Sequence, residues 1–460
     1  MTETPDIRAG RLTAADYAAN FADAHPPLDR HNALIESARC YFCFDAPCVT
    51  ACPTTIDIPS FIRKIATGNL KGSARDILEQ NIMGAVCARV CPTEVLCEGA
   101  CVRNLAEHRP VTIGALQRHA VDHVLDNGSQ LFSRAAESGR RVAVIGGGPA
   151  GLACAHRLAR AGHAVTVFEA RDKLGGLNEY GVASYKVTDA IAAREVDYIL
   201  AIGGIDVRLG VALGRDIGLA ALRRDFDAVF LGLGLGGVNA LGLEAEAMEG
   251  VLDAVDYIAR LRQADDLATL PVGRRVVVVG GGMTAIDIAC QTRRLGAEEV
   301  SIVYRRGPEK MKASEVERDF AQTGGVVIRH WARPHRLIAE NGRLRAIEFE
   351  RTRLDGDGRP SGTGETYSLA ADMLFKAIGQ VFVSGALDGV AEALALDHGR
   401  IAVDADRRTS LSNVWAGGDC VAGGEDLTVA AVADGRIAGD AIDRALRAGG
   451  GTPAKEARHG

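Results

Sequence analysis

The stretch that decides the fold is RVAVIGGGPAGLACAHRLARAGHAVTVFEA, residues 141–170. It predicts an apolar strand, a glycine-rich turn, a helix and a second apolar strand. In this G-x-G-x-x-G turn, Gly146 permits the tight bend, Gly148 lets a pyrophosphate approach the helix N-terminus, and Gly151 lets the helix pack on the strand. Glu169 ends the second strand, where its carboxylate can accept hydrogen bonds from ribose hydroxyls. This context favours a dinucleotide-binding site over a purely structural turn.

A second unit of the same plan follows at residues 274–306, RRVVVVGGGMTAIDIACQTRRLGAEEVSIVYRR, and its turn at 280–285 reads G-x-G-x-x-A. The chain therefore contains an internal duplication of a β-α-β unit. The end of the second strand carries basic residues instead of an acid: Arg305, Arg306, Lys310 and Lys312. Arginines bind a 2′-phosphate bidentately, whereas a carboxylate would repel it. The sequence predicts an NAD(P)H site that favours NADPH over NADH, and the alternative is a solvated basic loop.

The composition restricts the class of protein. Apolar residues make up 47% and charged residues 24% of the 460 residues, which is ordinary for a globular chain of two to four domains. The net charge is −6, and no long Lys/Arg run offers a surface for nucleic acid. The N-terminal segment lacks the pattern of a secretory signal, and the longest apolar stretch, at 228–243, is too short and glycine-rich to span a membrane. We therefore expect a cytoplasmic protein without a nucleic-acid or membrane partner.

Eight of the eleven cysteines lie in two runs, CYFCFDAPCVTACP at 40–53 and CARVCPTEVLCEGAC at 87–101. Disulfides, zinc and iron–sulfur clusters are the three explanations for so many thiols. The cytoplasm keeps thiols reduced, which disfavours disulfides. Zinc sites usually have paired C-x2-C knuckles, a spacing found only at the start of the first run. Both runs contain Cys-Pro, at Cys52 and Cys91, as in ferredoxin-type runs whose last cysteine commonly ligates the other cluster. The sequence predicts two [4Fe–4S] clusters.

The C-terminal segment carries a resemblance to a known group of proteins. TSLSNVWAGGDC at 409–420, with the helix predicted after it, resembles the flavoprotein disulfide reductase-like superfamily in its T-x4-V-[FW]-A-x-G-D pattern. The resemblance implies that the first glycine-rich unit binds FAD and that the second, inserted unit binds NAD(P)H. It also implies that Asp419 binds the ribitol and that the helix N-terminus at Thr428 and Val429 stabilises negative charge on the reduced flavin. The FAD contacts implied in full are Gly146, Gly148, Pro149, Ala150, Gly151, Glu169, Ala170, Gly176, Leu177, Lys186, Leu213, Gly418, Asp419, Thr428 and Val429.

The remaining three cysteines bear on how electrons would leave the flavin. Cys154 and Cys290 fall on the helices after the two glycine turns and are predicted core residues. Cys420 follows the predicted ribitol-binding residue, but a reductase that works through a disulfide needs a second thiol nearby. The electrons are therefore expected to leave through the cysteine-rich module.

A narrower resemblance covers the chain to about residue 445. The two cysteine runs, continued as TTIDIPSFI at 54–62 and followed by TIGALQRHA at 112–120, resemble the dihydropyrimidine dehydrogenase family, and most closely its PreT-type small subunit. The resemblance implies one cluster on Cys40, Cys43, Cys48 and Cys101, and a second on Cys52, Cys91, Cys97 and Gln117. Cys87 would then not be a ligand. Spacing alone would select Cys87 and would never select Gln117.

The same resemblance implies the nicotinamide contacts and one departure from the family pattern. The NAD(P)H contacts are Gly280, Gly282, Met283, Thr284, Ala285, Arg305, Arg306, Lys312, Ala377, Ile378 and Gly379. Where the family has arginine in an FRLP stretch, this chain has Lys186 in SYKVT, which puts the FAD contact of Lys186 in doubt. Small subunits of this kind can use NADH, so the resemblance leaves the coenzyme open.

The implied function is electron input. Hydride would pass from NAD(P)H to FAD, and electrons through two clusters to an FMN-containing partner subunit, in a heterotetramer that reduces uracil or thymine or runs in reverse. No side chain is required as an acid or base, so no catalytic residue is assigned. The alternatives are a glutamate synthase small subunit, whose usual LGN-x-I-P-x-W-N stretch is replaced here by TTIDIPSFI, a flavin-based ferredoxin:NADP oxidoreductase, and a non-enzymatic zinc-bearing interaction module.

The expected fold is α+β and multidomain. A helical N-terminal iron–sulfur module precedes two Rossmann-like three-layer α/β dinucleotide-binding domains, of which the NAD(P)H domain is inserted in the FAD domain. The expected boundaries are 1–130 for the helical domain, 140–252 and 376–447 for the FAD domain, 253–375 for the NAD(P)H domain and 448–460 for a flexible tail.

Overall fold

The structure, a computed structural model, describes residues 6–244, 246–387 and 394–448, so the predicted tail lies outside the described residues after Ala448. The chain divides into two compact units. Unit A comprises Pro27–Asn178, Ala190–Leu235 and Phe382–Gly460, and unit B comprises Met1–Pro26, Glu179–Asp189 and Gly236–Val381. Nothing in the sequence pattern indicates that the short segments Met1–Pro26 and Glu179–Asp189 belong to unit B. The domain boundaries given above stay a prediction.

The helices of the described residues are named in chain order. They are α1 (Ala14–Asn20), α2 (Arg30–Ala38), α3 (Pro47–Thr50), α4 (Ile58–Ala66), α5 (Leu70–Gln80), α6 (Gly84–Val90), α7 (Val102–Glu107), α8 (Ile113–Asp126), α9 (Pro149–Arg160), α10 (Leu177–Tyr180), α11 (Ile191–Leu200), α12 (Leu219–Asp225), α13 (Ala254–Arg262), α14 (Met283–Arg294), α15 (Glu315–Thr323) and α16 (Thr428–Ala448). Short 3₁₀ turns occupy Thr93–Val95, Leu267–Thr269, Pro308–Lys310 and Ser384–Leu387.

The strands of the described residues are named in the same way. They are β1 (Ile7–Arg8), β2 (Arg141–Ile145), β3 (Ala164–Glu169), β4 (Ile205–Leu209), β5 (Ala228–Leu231), β6 (Gly237–Val238), β7 (Val251–Asp253), β8 (Val272–Gly273), β9 (Arg275–Gly280), β10 (Glu299–Tyr304), β11 (Val326–His330), β12 (Ala332–Glu340), β13 (Arg343–Leu354), β14 (Pro360–Ala370), β15 (Met373–Ala377), β16 (Gln380–Val381), β17 (Leu396–Asp397), β18 (Arg400–Ile401) and β19 (Val414–Ala416).

The cysteine-rich part of unit A is helical, as predicted. Helices α4 and α5 are separate because the chain turns at Gly68, whose φ is +78°. Asp57 caps α4 by accepting a hydrogen bond from Ser60 N at 3.0 Å, and Asn69 caps α5 through Gly72 N at 2.9 Å. The buried faces of these helices pack against α8, which places the loops that carry the cysteines around the same helical core.

The dinucleotide-type part of unit A is a parallel sheet in the order β19-β5-β2-β3-β4. Strand β2 and helix α9 are joined by the first glycine-rich turn, at the carboxyl edge of the central strand. Helix α16 packs on α9, and a Cβ at Gly435 would overlap the carbonyl oxygen of Ala150. The missing side chain at Gly435 therefore lets the last helix lie directly against the start of α9.

Unit B repeats the parallel plan. Its sheet has the order β11-β10-β9-β15-β7, and the second glycine-rich turn joins β9 to α14. Unit B also contains an antiparallel sheet in the order β12-β13-β14. A core around Val278, Ile286 and Phe375 lies under the parallel sheet. The fold class predicted from the two glycine-rich units is thus present.

Among the described residues, no helix combines the length and the apolar character needed to cross a membrane.

Candidate cofactor sites

Two cavities in the helical part of unit A are lined by the eight clustered cysteines. The first is lined by Cys52, Cys87, Cys91, Cys97 and Gln117, together with Val429 from the first turn of α16. We call it the inner cavity, because it reaches the helix that is predicted to face the flavin. The second is lined by Cys40, Cys43, Cys48 and Cys101, and we call it the outer cavity.

The pairing across the two runs follows from the chain path. Cys48 lies within the short helix α3 and lines the outer cavity, whereas Cys52 follows that helix and lines the inner cavity. Cys101 returns from the end of the second run to the outer cavity, whereas Cys91 and Cys97 stay at the inner one. Ile58 lines both cavities, so the two sites are neighbours.

The thiols of each cavity act on one another electrostatically. Burial, and then the neighbouring Cys101 and Cys40, raises the pKa of Cys48 to about 12. The pKa of Cys91 is raised by a hydrogen bond with Cys87 and by burial, and the Cys97 pKa is raised by burial. Buried thiolates are costly without a compensating cation, and a bound metal supplies one and deprotonates its ligands. The two cavities therefore have the donor chemistry of metal sites.

The arrangement favours clusters over zinc. A zinc ion lies about 2.3 Å from each coordinating sulfur, so its ligands converge on one point. The clustered cysteines instead line the walls of two cavities, four to each. In a [4Fe–4S] cluster each ligand binds a different iron atom, which suits donors spread around a cavity. The residues present fit two such clusters.

The inner cavity offers five donor residues for four positions. Gln117 donates its side-chain N–H to Gly84 O at 2.8 Å, which leaves its amide oxygen without a hydrogen-bond partner among the described residues. The Cys87 sulfur lies 3.8 Å from Asn81 Oδ1, a distance at which the thiol donates a hydrogen bond. Both residues are buried, and both line the cavity. The geometry therefore keeps Gln117 and Cys87 as competing donors.

The first glycine-rich turn is built as its sequence predicts. Gly146 has a φ of +99°, and a Cβ at Gly151 would overlap its carbonyl oxygen. The carboxylate of Glu169 accepts hydrogen bonds from Gly147 N at 2.7 Å and Arg171 N at 2.9 Å. These bonds fix the carboxylate beside the turn, where each oxygen keeps a lone pair for a ribose hydroxyl.

Three further loops close around the same turn. Gly175 N donates to Gly147 O at 2.8 Å, and a Cβ at Gly176 would lie 2.7 Å from Gly148 Cα. Gly418, which precedes Asp419, lies against Ala150. The candidate residues Pro149, Ala150, Gly176, Leu177, Gly418 and Asp419 therefore gather at one edge of the unit A sheet, with Ala170 at the end of β3 and Leu213 in the loop after β4. This edge is a cradle for a dinucleotide.

Asp419 is the candidate ribitol-binding residue. Burial raises its pKa to about 7, the carboxylates of Asp426 and Asp434 add to the shift, and Arg400 opposes it. A carboxyl group that has lost its contact with water is stabilised by hydrogen bonds from hydroxyl groups that take the place of the water. The residue therefore fits the role that the resemblance implies.

The start of α16 is held by a short hydrogen-bonded chain. Thr428 Oγ1 donates to Asn178 Oδ1 at 2.8 Å, and Asn178 donates to the sulfur of Met83 at 3.4 Å. Met83 is the residue before α6, the helix that presents Cys87 and Cys91 to the inner cavity. The helix end that is predicted to face the flavin is thus tied to the helix that carries the cluster donors.

The second glycine-rich turn lies in unit B beside the predicted basic residues. The Tyr304 ring occupies the space that a Cβ at Gly281 would need, and Tyr304 donates a hydrogen bond to Lys310 O at 2.6 Å. Gly281 O accepts hydrogen bonds from Lys312 N at 2.9 Å and Ala313 N at 3.1 Å. These contacts fold the basic loop onto the turn. The turn residues Gly280, Gly282, Met283, Thr284 and Ala285 and the strand end Ala377, Ile378 and Gly379 meet at the same edge of the unit B sheet.

Within the described part of the chain, no ion pair or hydrogen bond engages the side chains of the loop cations Arg305, Arg306, Lys310 and Lys312. Arg305 and Lys312 are exposed, and Arg306 is half-buried. Free guanidinium groups next to a dinucleotide-type turn suit a phosphate ligand.

Lys186 stands apart from the other candidate FAD residues. It belongs to unit B, where its ammonium lies 2.9 Å from Asp287 Oδ1 and 2.7 Å from Glu317 Oε1. These two carboxylates raise its pKa despite its burial. The ammonium already has two anionic partners, so its assignment to the FAD site remains a prediction without support from this geometry.

All eleven cysteines are free thiols in the structure, and Cys154, Cys290 and Cys420 are buried. The Cys420 sulfur lies 3.4 Å from Gly417 O. None of the three lines either cysteine cavity.

Comparison with known proteins identifies the class. The family model described as pyridine nucleotide-disulphide oxidoreductase matches residues 140–435, which is more than half of the chain. The model described as dihydropyrimidine dehydrogenase domain II, 4Fe-4S cluster, matches residues 17–129. The structure of FprA from Mycobacterium tuberculosis in complex with NADPH has a TM-score of 0.56 and 20% identity, and the match covers 67% of this chain and 85% of that one. The chain is thus a pyridine nucleotide oxidoreductase of flavoprotein type with an iron–sulfur module.

Two curated relatives match nearly the whole chain. The small chain of NADPH glutamate synthase from Escherichia coli (strain K12) is 34% identical over 92% of this chain and 93% of its own length. The NAD-dependent dihydropyrimidine dehydrogenase subunit PreT from the same organism is 33% identical over 90% of this chain and 94% of its own length. The chain belongs to the family of iron–sulfur flavoproteins that contains these two subunits. The resemblance to the dihydropyrimidine dehydrogenase family is confirmed. Sequence identity over the whole chain does not separate the PreT branch from the glutamate synthase branch.

Proposed function

We propose that this chain is the electron-input subunit of an NAD(P)H-dependent dihydropyrimidine dehydrogenase. It moves reducing equivalents from NAD(P)H through FAD and two [4Fe–4S] clusters to an FMN-containing partner subunit that reduces uracil or thymine, or it works in reverse. The single observation that carries the proposal is Val429. This residue lies in the first turn of α16, the helix predicted to face the flavin, and it also lines the inner cavity.

The order of the sites supports a relay. The inner cavity touches α16 through Val429, and Ile58 separates it from the outer cavity. The outer cavity lies beside exposed apolar side chains: Tyr41 is 56% exposed and Phe44 is fully exposed. An exposed aromatic group next to the last site of a relay suits contact with a partner protein. Electrons would leave the subunit there.

The residues of the chain supply binding and orientation. The bound flavin and clusters supply the redox chemistry, which is hydride acceptance and one-electron transfer. The turn at Gly146–Gly151 holds the FAD pyrophosphate, Glu169 its ribose and Asp419 its ribitol. Thr428, fixed by Asn178, keeps the N-terminus of α16 in place. Cys40, Cys43, Cys48 and Cys101 hold the outer cluster, and Cys52, Cys91, Cys97 and Gln117 hold the inner one.

The stretch TTIDIPSFI and the relative PreT support the pyrimidine branch.

The first expected result concerns the acceptor. The purified chain with NAD(P)H should reduce an artificial electron acceptor, but should reduce uracil only when an FMN-containing partner subunit is added. Anaerobic turnover, followed by loss of NAD(P)H absorbance and by formation of dihydrouracil, measures both activities. Reduction of uracil by the isolated chain would contradict the proposal.

A second candidate function is the small subunit of a glutamate synthase. It is favoured by the 34% identity to the E. coli small chain over 93% of that chain. The same purified protein distinguishes the two functions. Under the pyrimidine proposal, a glutamate synthase large subunit added with glutamine and 2-oxoglutarate should give no glutamate, and formation of glutamate would favour the second candidate.

The coenzyme preference gives another expected result. The Arg305→Ala, Arg306→Ala double variant should raise KM for NADPH by about 100-fold, because each charge-assisted hydrogen bond contributes roughly 1.5–3 kcal/mol and about 1.4 kcal/mol corresponds to tenfold. KM for NADH should change by less than about threefold, because NADH has no 2′-phosphate. Steady-state kinetics with both coenzymes measures the ratio, and Arg353→Ala, an exposed arginine of β13, is the control. An unchanged ratio would remove the reason for favouring NADPH.

A further inference from the structure

Glu195 is a buried carboxyl group outside the cofactor sites described above. It lies on α11 in the dinucleotide-type part of unit A, and it is only 1% exposed. Its Oε1 atom accepts hydrogen bonds from Ala85 N at 2.7 Å and Val86 N at 3.3 Å. These two residues open α6, the helix that presents Cys87 and Cys91 to the inner cavity.

The second oxygen of Glu195 is unpartnered. Oε2 is buried and has no hydrogen-bond partner among the described residues. A carboxylate oxygen in this position is costly when ionised, whereas a protonated one loses most of the charge that burial penalises. One acceptor oxygen is enough to cap the N-terminus of α6, and Oε1 already does so. Capping therefore does not explain why the buried Oε2 oxygen is present.

The charged residues around Glu195 are paired with other groups. Arg89 on α6 is paired with Asp122 through contacts of 3.0 and 2.7 Å, and Arg118 on α8 also binds Asp122, at 3.2 Å. On α9, His156 is buried and its pKa is lowered to about 3, so it is neutral. The other charged residues of α9 have carboxylate partners: Arg157 binds Asp440 and Glu79, and Arg160 binds Glu79. Among the described residues these arginines are paired with other carboxylates, so none forms an ion pair with Glu195, and the charge of Arg89 offsets its burial only in part.

We infer that Glu195 is the proton acceptor coupled to electron uptake at the inner cavity, an inference that rests on the proposed function. When the inner site takes up one electron, the Oε2 oxygen of Glu195 takes up one proton from solvent. The electron comes from NAD(P)H by way of the flavin, and nothing else is oxidised or reduced in this step. The negative charge gained by the site is balanced by the positive charge of the proton.

The direction of the coupling follows from electrostatics. Burial raises the pKa of Glu195 to about 8, against the N–H groups of Ala85 and Val86 and the charge of Arg89, while Asp122 adds to the rise. An added electron nearby raises the pKa of a carboxyl further. Below that pKa the group is protonated in both redox states, so no proton moves. Above it, reduction binds a proton, so the reduction potential falls as the pH rises.

The test is a redox titration of the purified, iron-loaded protein at pH values from 6 to 10, with each cluster followed by electron paramagnetic resonance. Under the inference, the equilibrium constant for one-electron reduction of the inner site falls by up to tenfold per pH unit above about pH 8. This corresponds to a fall in the reduction potential of about 59 mV per pH unit. Glu195→Gln keeps an acceptor oxygen for the two N–H groups, and its inner potential should not depend on pH over this range. Persistence of the wild-type slope in this variant would overturn the inference.

Two glutamates serve as controls. Glu36 accepts a hydrogen bond from Thr112 N at 2.8 Å but is ion-paired with Arg39 at 2.6 Å, so Glu36→Gln should leave the slope unchanged. Glu98 is half-buried beside Cys97 and accepts a hydrogen bond from Gly114 N at 2.9 Å. A slope that disappears in Glu98→Gln but not in Glu195→Gln would assign the proton to Glu98 and overturn the inference.

A second measurement covers the case in which Glu195→Gln fails to retain iron. Infrared difference spectra of the wild type and of Glu195→Asp, taken on reduction above pH 8, should show a protonated carboxyl group appearing. The absence of this signal from iron-loaded wild type would overturn the inference and leave the proposed function intact. Wild-type protein without iron would instead contradict the proposed function itself.

Discussion

Replacing Cys91 with serine is expected to stop electron flow beyond the flavin. Cys91 directly follows α6, lines the inner cavity and faces Cys52, Cys87 and Cys97. Without its thiolate the inner cluster has three donors, and iron should fall from about eight to about four atoms per chain. NAD(P)H should still reduce the flavin within about threefold of the wild-type rate, because the FAD cradle is formed by other residues. Reduction of a one-electron acceptor through the clusters should fall by about 100-fold or more.

Stopped-flow absorbance under anaerobic conditions separates the two steps, and iron analysis reports cluster loss. Cys154→Ser is the matched control, since Cys154 is buried on α9 and lines neither cavity. Cys87→Ser and Gln117→Ala decide between the competing donors. The assigned ligand set predicts that the first keeps about eight iron atoms and the second loses about four. The opposite result would make Cys87 the ligand, and full acceptor activity in the Cys91 variant would contradict the relay.

The second large effect is expected at the first glycine-rich turn. A Cβ at Gly151 would overlap the carbonyl oxygen of Gly146, a backbone atom that cannot rotate away. Gly151→Ala therefore displaces α9 from the turn that approaches the pyrophosphate, and overpacking of this kind costs about 1–3 kcal/mol. We expect FAD affinity to fall by about 10- to 100-fold. Flavin absorbance after gel filtration measures the loss.

Gly218→Ala is the control for this variant. Gly218 has open space around its Cα and no positive φ, and it precedes α12 on the same unit. It should keep its flavin. Iron analysis of the Gly151 variant shows whether the helical module is intact. Wild-type flavin affinity in Gly151→Ala would show that this turn does not hold the dinucleotide.

The sequence predicted those parts of the fold that depend on local pattern. Glycine spacing between an apolar strand and a helix defines the two nucleotide-type turns, and both are present at the expected residues. Gly68 lies between α4 and α5, where its positive φ ends the first helix. Such features depend on a few neighbouring residues, so they can be recognised without knowledge of distant contacts.

Long-range contacts set the limit of prediction. Spacing indicates that the eight clustered thiols belong together, but the pairing of Cys101 with the first run depends on how the runs cross in space. Nothing in the sequence of its amphipathic helix marks Gln117 as a cluster ligand, and only the family resemblance indicates this role. Lys186 is paired with Asp287 and Glu317, which lie 101 and 131 residues further along the chain. Glu195 was not singled out, because the backbone groups that it binds are 109 and 110 residues away.

The central claim is that the cysteine module holds two iron–sulfur clusters in series with one flavin. Metal, acid-labile sulfide and flavin analysis of anaerobically purified protein tests it most directly, with Mössbauer spectroscopy to identify the cluster type. The account predicts about eight iron atoms, as many sulfides and about one FAD per chain. A protein that contains flavin but no iron, or that holds zinc at the cysteines, would contradict it.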